Sequence, residues 1–267
     1  MRSLRGKTAV VTGAGSGIGR ALAERLWRER MQLVLADVDR RALEAIASRL
    51  PGALAIRTDV SRGAAVEALA AAAYQRFGAV HLLCNNAGVA DSGTLWEMPL
   101  PRLRRVLDVN LWGVIHGCRA FVPRMLRQRG QAHVVNLASM AGLVTPPGAS
   151  AYSISKHGVV ALSEALSQDL ALRRSRIGVT VVCPGWVKTN LADGVPDPLL
   201  RLLVARGLPA EAVADAIVSG VREDRFYLLT HPELAGAVKD RARDILEGRA
   251  PDVPLIRRPA RSPARSR

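Results

Sequence analysis

Cysteine is scarce in this 267-residue chain. Cys84, Cys118 and Cys183 are an odd number at wide spacing, with no CxxC pair and no Cys/His cluster, so neither a disulfide framework nor a bound metal is expected. The five histidines, at 81, 116, 133, 157 and 231, are equally scattered without an HExxH, and they read as surface residues beside structural cysteines. Aromatic residues make up only 4%, which supplies few stacking platforms for single-stranded nucleic acid. No apolar run approaches the roughly 18 residues of a membrane span. The opening MRSLRGKTAVVTGAGSG interrupts its apolar stretch with Thr12 and glycines too early for a secretory signal. These absences lead to the expectation of a soluble, cytoplasmic protein.

Lysine is scarce too, at four of 38 basic residues, so the net charge of +15 is an arginine charge. Part of it lies in 249–267, a Pro-interrupted basic tail that reads as disordered. A basic face attracts nucleic acid non-specifically, but with so few aromatics no specific nucleic-acid partner is expected. What is abundant is apolar: 49% hydrophobic against 23% charged residues, with a mean hydropathy of +0.11, enough for a buried core.

Apolar β-branched runs alternate with segments of 3.6-residue periodicity. Strands are expected at 8–12, 32–37, 53–58, 81–85, 133–139, 177–183 and 226–230, and helices at 18–29, 40–50, 64–77, 102–128, 152–173 and 210–221. Strands separated by helices of this length imply right-handed crossovers and an α/β, doubly wound, seven-stranded parallel sheet with helices on both faces. One domain over 1–248 follows. The stretch 184–208, with three glycines and three prolines, has no clear element and reads as a substrate loop or lid.

The first strand runs into Thr12-Gly13-Ala14-Gly15-Ser16-Gly17-Ile18-Gly19, and a helix opens there. Glycines permit the tight turn and let backbone N–H groups approach a pyrophosphate held at the positive end of the helix. The second strand ends at Asp37, where a carboxylate can accept both adenosine ribose hydroxyls and repel a 2′-phosphate, favouring NAD over NADP. Ser16, in place of a basic residue, points the same way, although Arg40 and Arg41 lie close enough to pair with a phosphate. Asp59 ends the third strand within reach of an adenine edge, or else Asp59 or Ser61 caps the next helix. Asn85-Asn86-Ala87-Gly88 ends the fourth strand and either lines the cofactor cleft or simply turns the chain.

Tyr152 and Lys156 are four residues apart and so share a helix face. A nearby ammonium favours the phenolate, which makes Tyr152 a usable general acid or base near neutral pH. Ser139 closes an apolar strand, either orienting a substrate oxygen toward Tyr152 or capping a turn. Asn110 is a polar amide inside a long helix, either exposed or holding a water that links Lys156 to solvent.

Together these motifs, with Pro184-Gly185-Trp186-Val187-Lys188-Thr189, resemble the short-chain dehydrogenase/reductase family in its compact form, from Lys7 to about Gly248. The resemblance implies a Rossmann-type domain and a tetrad of Asn110, Ser139, Tyr152 and Lys156. It also implies a dinucleotide bound along Gly13, Ser16, Gly17, Ile18, Gly19, Asp37, Asp59, Val60, Asn86, Ala87, Gly88, Tyr152, Lys156, Pro184, Gly185, Val187 and Thr189. In that picture Lys156 binds the nicotinamide ribose, and Thr189 with the backbone near Val187 meets the carboxamide or pyrophosphate. A homodimer or homotetramer built on the helices at 102–128 and 152–173 is implied as well. Residues 90–98, 140–150 and 186–208 offer Leu95, Trp96, Leu143, Val144, Trp186 and Leu191 with few charges, which suits a bulky or lipophilic secondary alcohol or ketone. The competing readings are an NADP-dependent ketone or 3-oxoacyl reductase of the same family, and a dinucleotide-sensing or nucleic-acid-binding protein.

Overall fold

The computed structural model describes residue 1, residues 3–193 and residues 198–251. The part of the expected lid at 194–197 and the basic tail from 252 onward lie outside the described residues. The chain alternates β1 (Thr8–Thr12), α1 (Gly17–Arg28), β2 (Gln32–Asp37), α2 (Arg40–Arg49), β3 (Leu54–Arg57), α3 (Gly63–Phe77) and β4 (Leu82–Asn85). There follow α4 (Leu100–Leu107), a π-helical turn at Asp108–Trp112, α5 (Gly113–Arg127), β5 (Ala132–Leu137), a 3-10 turn at Met140–Gly142, α6 (Ser150–Leu172) and β6 (Ile177–Cys183). The last third holds β7 (Val187–Lys188), α7 (Pro198–Ala205), β8 (Leu208–Pro209), α8 (Ala210–Glu223), β9 (Tyr227–Leu229) and α9 (Ala235–Leu246).

Seven strands form one sheet in the order β3-β2-β1-β4-β5-β6-β9, and every neighbouring pair is parallel. Side chains of a strand alternate between faces, and here both faces are apolar. Ala9, Val11, Leu33, Leu35, Leu82 and Val135 pack with α1, α2 and α8 on one side. Val10, Val34, Leu83 and Val134 pack with α3, α5 and the end of α6 on the other. That double burial is why the central strands read as continuous apolar runs. Chain order runs outward in both directions from β1 and β4, so a crevice opens at their carboxyl ends.

The structure departs from the sequence reading in four places. Residues 102–128 are not one helix: the π-helical turn adds a residue and brings Asn110 into the interior, fully buried. Gly113 then lets the start of α5 press on the loop before α3, since a Cβ there would lie 2.9 Å from Val60 Cγ2. Strand 5 ends at Leu137, and Ser139 instead caps the 3-10 turn by accepting the Ala141 N–H at 3.1 Å. Within 184–208, Trp186 O accepts the Leu208 N–H at 2.8 Å and Val187 pairs with Leu208, so β7 and β8 form a small second sheet. Helix α9 also forms, although none of its residues is buried.

Two histidines read as surface residues are buried, His133 at 1% and His231 at 7% exposure. Each is matched to polar partners: His133 Nε2 lies 2.8 Å from Thr180 Oγ1, and His231 is described below. Among the described residues no helix is long and apolar enough to cross a membrane, and no group of His, Cys, Asp and Glu is arranged to hold a metal ion.

Candidate active site

The turn between β1 and α1 is built for close approach. Gly13 has φ +65°, and a Cβ on it would lie 2.8 Å from Ala87 Cα; a Cβ on Gly19 would overlap the Gly13 carbonyl oxygen. Asn86 locks this turn to the end of β4: its Nδ2 donates to Thr12 O at 2.8 Å and to Gly13 O at 3.2 Å. The Thr12 hydroxyl accepts the N–H groups of Asn86 and Ala87 at 3.0 and 3.1 Å. Ser16 precedes α1 without giving it a side-chain cap, and no acidic residue lies in its first turn. The orphan N–H groups of Gly17, Ile18 and Gly19 thus face the crevice mouth as donors for an anion. Gly13 and Gly19 let the turn close on the end of β4, and the free N–H groups at the start of α1 are donors of the kind a dinucleotide pyrophosphate needs.

Asp37 ends β2 beside the turn. Its Oδ2 accepts the Gly15 N–H at 2.8 Å and its Oδ1 the Asp39 N–H at 3.0 Å, so the carboxylate is fixed in place by backbone. Arg40 is turned to Glu44, at 2.7 Å. Asp59 Oδ1 accepts both the backbone N–H and the hydroxyl of Ser61, at 3.0 and 2.6 Å. It does not cap α3, whose N-cap position is Arg62 with no side-chain bond. Asp59 instead lines a surface cavity of about 420 Å³ with Val38, Arg57, Arg62, Ala64 and Ala65. Val60 is buried with its side chain on Gly113 and its carbonyl 3.0 Å from His116 Nδ1. It therefore supports the cleft from behind.

The four residues of the expected tetrad converge at the carboxyl ends of β4 and β5. Lys156 is 4% exposed; its Nζ donates to Leu137 O at 2.8 Å and lies 5.6 Å from the centre of the Tyr152 ring. A Cβ on Gly88 would come within 3.3 Å of Asn110 Oδ1 and 3.7 Å of Lys156 Nζ, which places the end of β4, the π-helical turn and α6 around one point. Asn110 Oδ1 accepts the Val89 N–H at 2.8 Å, and its Nδ2 donates to Val89 O at 2.9 Å and Ser155 Oγ at 3.2 Å. The side chain thus clamps Val89 against α6.

Electrostatics also correct the sequence reading. Burial raises the Tyr152 phenol above its ordinary value of 10, and a hydrogen bond with Ser139 opposes this. The ammonium four residues away does not bring the phenol down. Lys156 itself is lowered to about 8 by burial, with Cys183 pulling the other way. Desolvation outweighs the favourable neighbours in both groups.

Ser139 Oγ also donates weakly to Pro184 O at 3.4 Å, which joins the β5 end to the Pro184–Thr189 segment. Thr189 closes the far side of the crevice: its Cγ2 would lie 3.0 Å from a Cβ on Gly17. Gly93 N–H donates to Gly148 O at 2.8 Å, so the loop after β4 and the loop before α6 form one rim. Trp96 on that rim is 84% exposed, and Leu95, Trp186 and Leu191 are also exposed, whereas Met98 and Met140 are buried. Sequence reasoning missed His231, a lone histidine outside any motif, which touches this segment directly.

The family model for short chain dehydrogenases matches residues 7–198. The chain belongs to the short-chain dehydrogenase/reductase family. It is 31% identical over 282 residues to the CLA biosynthesis dehydrogenase/reductase of Lactiplantibacillus plantarum, covering 96% of this chain and 99% of the relative. It is 39% identical over 256 residues to the 1-deoxy-11-beta-hydroxypentalenate dehydrogenase of Streptomyces arenae, covering 90% and 87%. A crystal structure of a short chain dehydrogenase/reductase from Burkholderia phymatum in complex with NAD superposes with a TM-score of 0.92 at 43% identity, over 96% of this chain and all of that one. As a short-chain dehydrogenase/reductase, the protein is an oxidoreductase in a family whose members are named here for acting on hydroxyl-bearing or reducible substrates.

Proposed function

We propose that this short-chain dehydrogenase/reductase exchanges hydride between NAD(H) and a bulky or lipophilic secondary alcohol or ketone, with Tyr152 as the proton donor and acceptor. The observation that carries the reading is the convergence of Ser139, Tyr152 and buried Lys156 beside the glycine cradle. When bound, the dinucleotide supplies the hydride acceptor or donor. Gly13, Ser16, Gly17, Ile18 and Gly19 offer the pyrophosphate cradle, Asp37 the ribose acceptor, and Asp59 with Ala87, Gly88, Pro184, Gly185, Val187 and Thr189 the remaining walls.

In alcohol oxidation the hydroxyl proton passes to the Tyr152 oxygen while Ser139 holds the substrate oxygen, and the carbinol C–H bond breaks heterolytically. Lys156 keeps positive charge beside the ring of Tyr152, and Asn110 holds the end of β4 in register with both. Preference for NAD over NADP is supported by the fixed Asp37 carboxylate and by Arg40 being engaged with Glu44. A lipophilic substrate is supported by Leu95, Trp96, Trp186 and Leu191 around the mouth, and by the relative named for a hydroxypentalenate. Exposed Trp112, Leu126, Ile154 and Leu172 on or beside α5 and α6 support a homodimer or homotetramer. Three free cysteines suit a reducing, cytoplasmic compartment.

The test is NADH formation across a panel of secondary alcohols, with Tyr152→Phe as control. The variant should bind NADH like the parent and lose turnover by about 100-fold or more. Equal turnover in both proteins would refute the assignment.

A further inference from the structure

We propose that His231 is a positioning residue for the reaction, its neutral imidazole fixing the Pro184–Thr189 segment between Ser139 and the phosphate turn. The inference rests on the reading under Proposed function. β9 pairs with β6 in parallel, Cys183 opposite Leu229, so Gly185 and His231, each two residues past its strand, emerge side by side. The Gly185 N–H lies 3.0 Å from His231 Nδ1, and His231 Nε2 lies 3.1 Å from Trp186 O. An amide N–H can only donate and a carbonyl can only accept. Nδ1 is therefore the acceptor and Nε2 carries the proton. Thr230 Oγ1, 2.9 Å from Nδ1, has a hydroxyl proton free to serve the same lone pair. A Cβ on Gly185 would lie 2.8 Å from His231 Cγ, so the imidazole rests directly on that backbone and glycine is required there.

Each bond orients a different rigid peptide plane. Gly185 N–H shares its plane with Pro184 O, which accepts the Met140 N–H at 2.8 Å and the Ser139 hydroxyl. Trp186 O shares its plane with Val187 N, at the start of the strand that carries Thr189 to Gly17, and it also accepts the Leu208 N–H. One ring thus sets Ser139 through Nδ1 and the cofactor-side clamp through Nε2.

The test separates the two tethers. Asn Oδ1 stands as many bonds from Cα as His Nδ1, and Gln Nε2 as many as His Nε2, so His231→Asn retains the Gly185 tether, His231→Gln the Trp186 tether, and His231→Leu neither. Displacing a reacting group by a fraction of an ångström to an ångström costs on the order of 10- to 100-fold. The expected result is that His231→Gln loses kcat about tenfold with the NADH Kd near that of the parent, that His231→Asn weakens NADH about tenfold with kcat near the parent, and that His231→Leu loses both. Amide exchange at Gly185 should be fast in the Leu and Gln variants and slow in the parent and the Asn variant. Losses of kcat and affinity that move together, in proportion to melting temperature, would overturn the proposal, as would a Leu variant with parental values of both. Should the parent turn over no alcohol, the proposed activity fails, and NADH affinity with Gly185 exchange still decides the two tethers.

Discussion

Asn110→Ala tests the clamp that sets the end of β4 against α6. The amide is fully buried and makes three hydrogen bonds, two of them to the backbone of Val89. Alanine leaves the Val89 N–H and C=O unpaired, at about 1–3 kcal/mol for each group when water is excluded. Val89 is only partly buried, so water recovers some of this, and the low end, about 2 kcal/mol for the pair, is the appropriate sum. The small void adds about 1 kcal/mol. A total near 3 kcal/mol lowers the melting temperature of a domain this size by about 6–12 °C. Circular dichroism melts and urea titrations of both proteins read the effect directly. Turnover should fall with it, because Gly88, next to Val89, faces Lys156. A melting temperature within about 2 °C of the parent would refute the clamp, and lost turnover at unchanged stability would assign the amide to chemistry instead.

Three further outcomes follow from the same geometry. Asp37→Ala should lower the ratio of kcat/KM for NAD over NADP by about tenfold or more, equivalent to roughly 1.4 kcal/mol; an unchanged ratio would remove Asp37 from cofactor choice. With Lys156 at about 8 and the Tyr152 phenol raised above its ordinary value, the proton donor is present throughout neutral pH. Ketone reduction should then be flat from pH 6 to about 7 and fall through about pH 8 as the ammonium is lost, whereas alcohol oxidation climbs with pH through neutrality; initial rates at saturating cofactor measure both, and a reduction rate that does not fall above pH 8 contradicts the assignment. Burial holds His133 at about 4, so above pH 6.5 it is neutral in both states, and between 6.5 and 4 the unfolded chain alone takes up the proton. About 3 kcal/mol of stability should be lost across that window, visible as a falling urea midpoint whose slope is shallower in His133→Asn; equal slopes would exclude His133 as the source.

The fold was legible because the sheet is buried on both faces. Runs such as Thr8–Thr12 and Ile177–Cys183 are mostly apolar and almost wholly buried, and the observed strands begin and end as the sequence predicts for those two and for Gln32–Asp37. The misreadings share a cause. The π-helical turn at Asp108–Trp112 exists because Asn110 finds the backbone of Val89, 21 residues earlier, and periodicity within 102–128 holds no trace of that partner. β7 and β8 are two residues each and depend on pairing between Val187 and Leu208. Helix α9 fully buries none of its residues and packs on the core through the partly buried Val238, too little of a stripe to read.

The site divides the same way, between what spacing encodes and what only folding creates. A spacing of four between Tyr152 and Lys156 gives a shared helix face, and glycines at 13, 17 and 19 permit a tight turn, so the residues that the fold brings together here could be picked out from the chain alone. Spacing says nothing of solvent, and the sign of the Tyr152 shift came out opposite to the one that proximity of charge suggests because burial is the larger effect. The buried phenol therefore holds its proton at neutral pH in the unliganded protein. His231 makes the point from the other side: no motif surrounds it, yet it hydrogen-bonds the two peptides that lead to Ser139 and to Thr189. Groups that do chemistry recur in recognisable patterns, whereas groups that hold them in place are chosen by whichever backbone atoms the fold leaves unpaired.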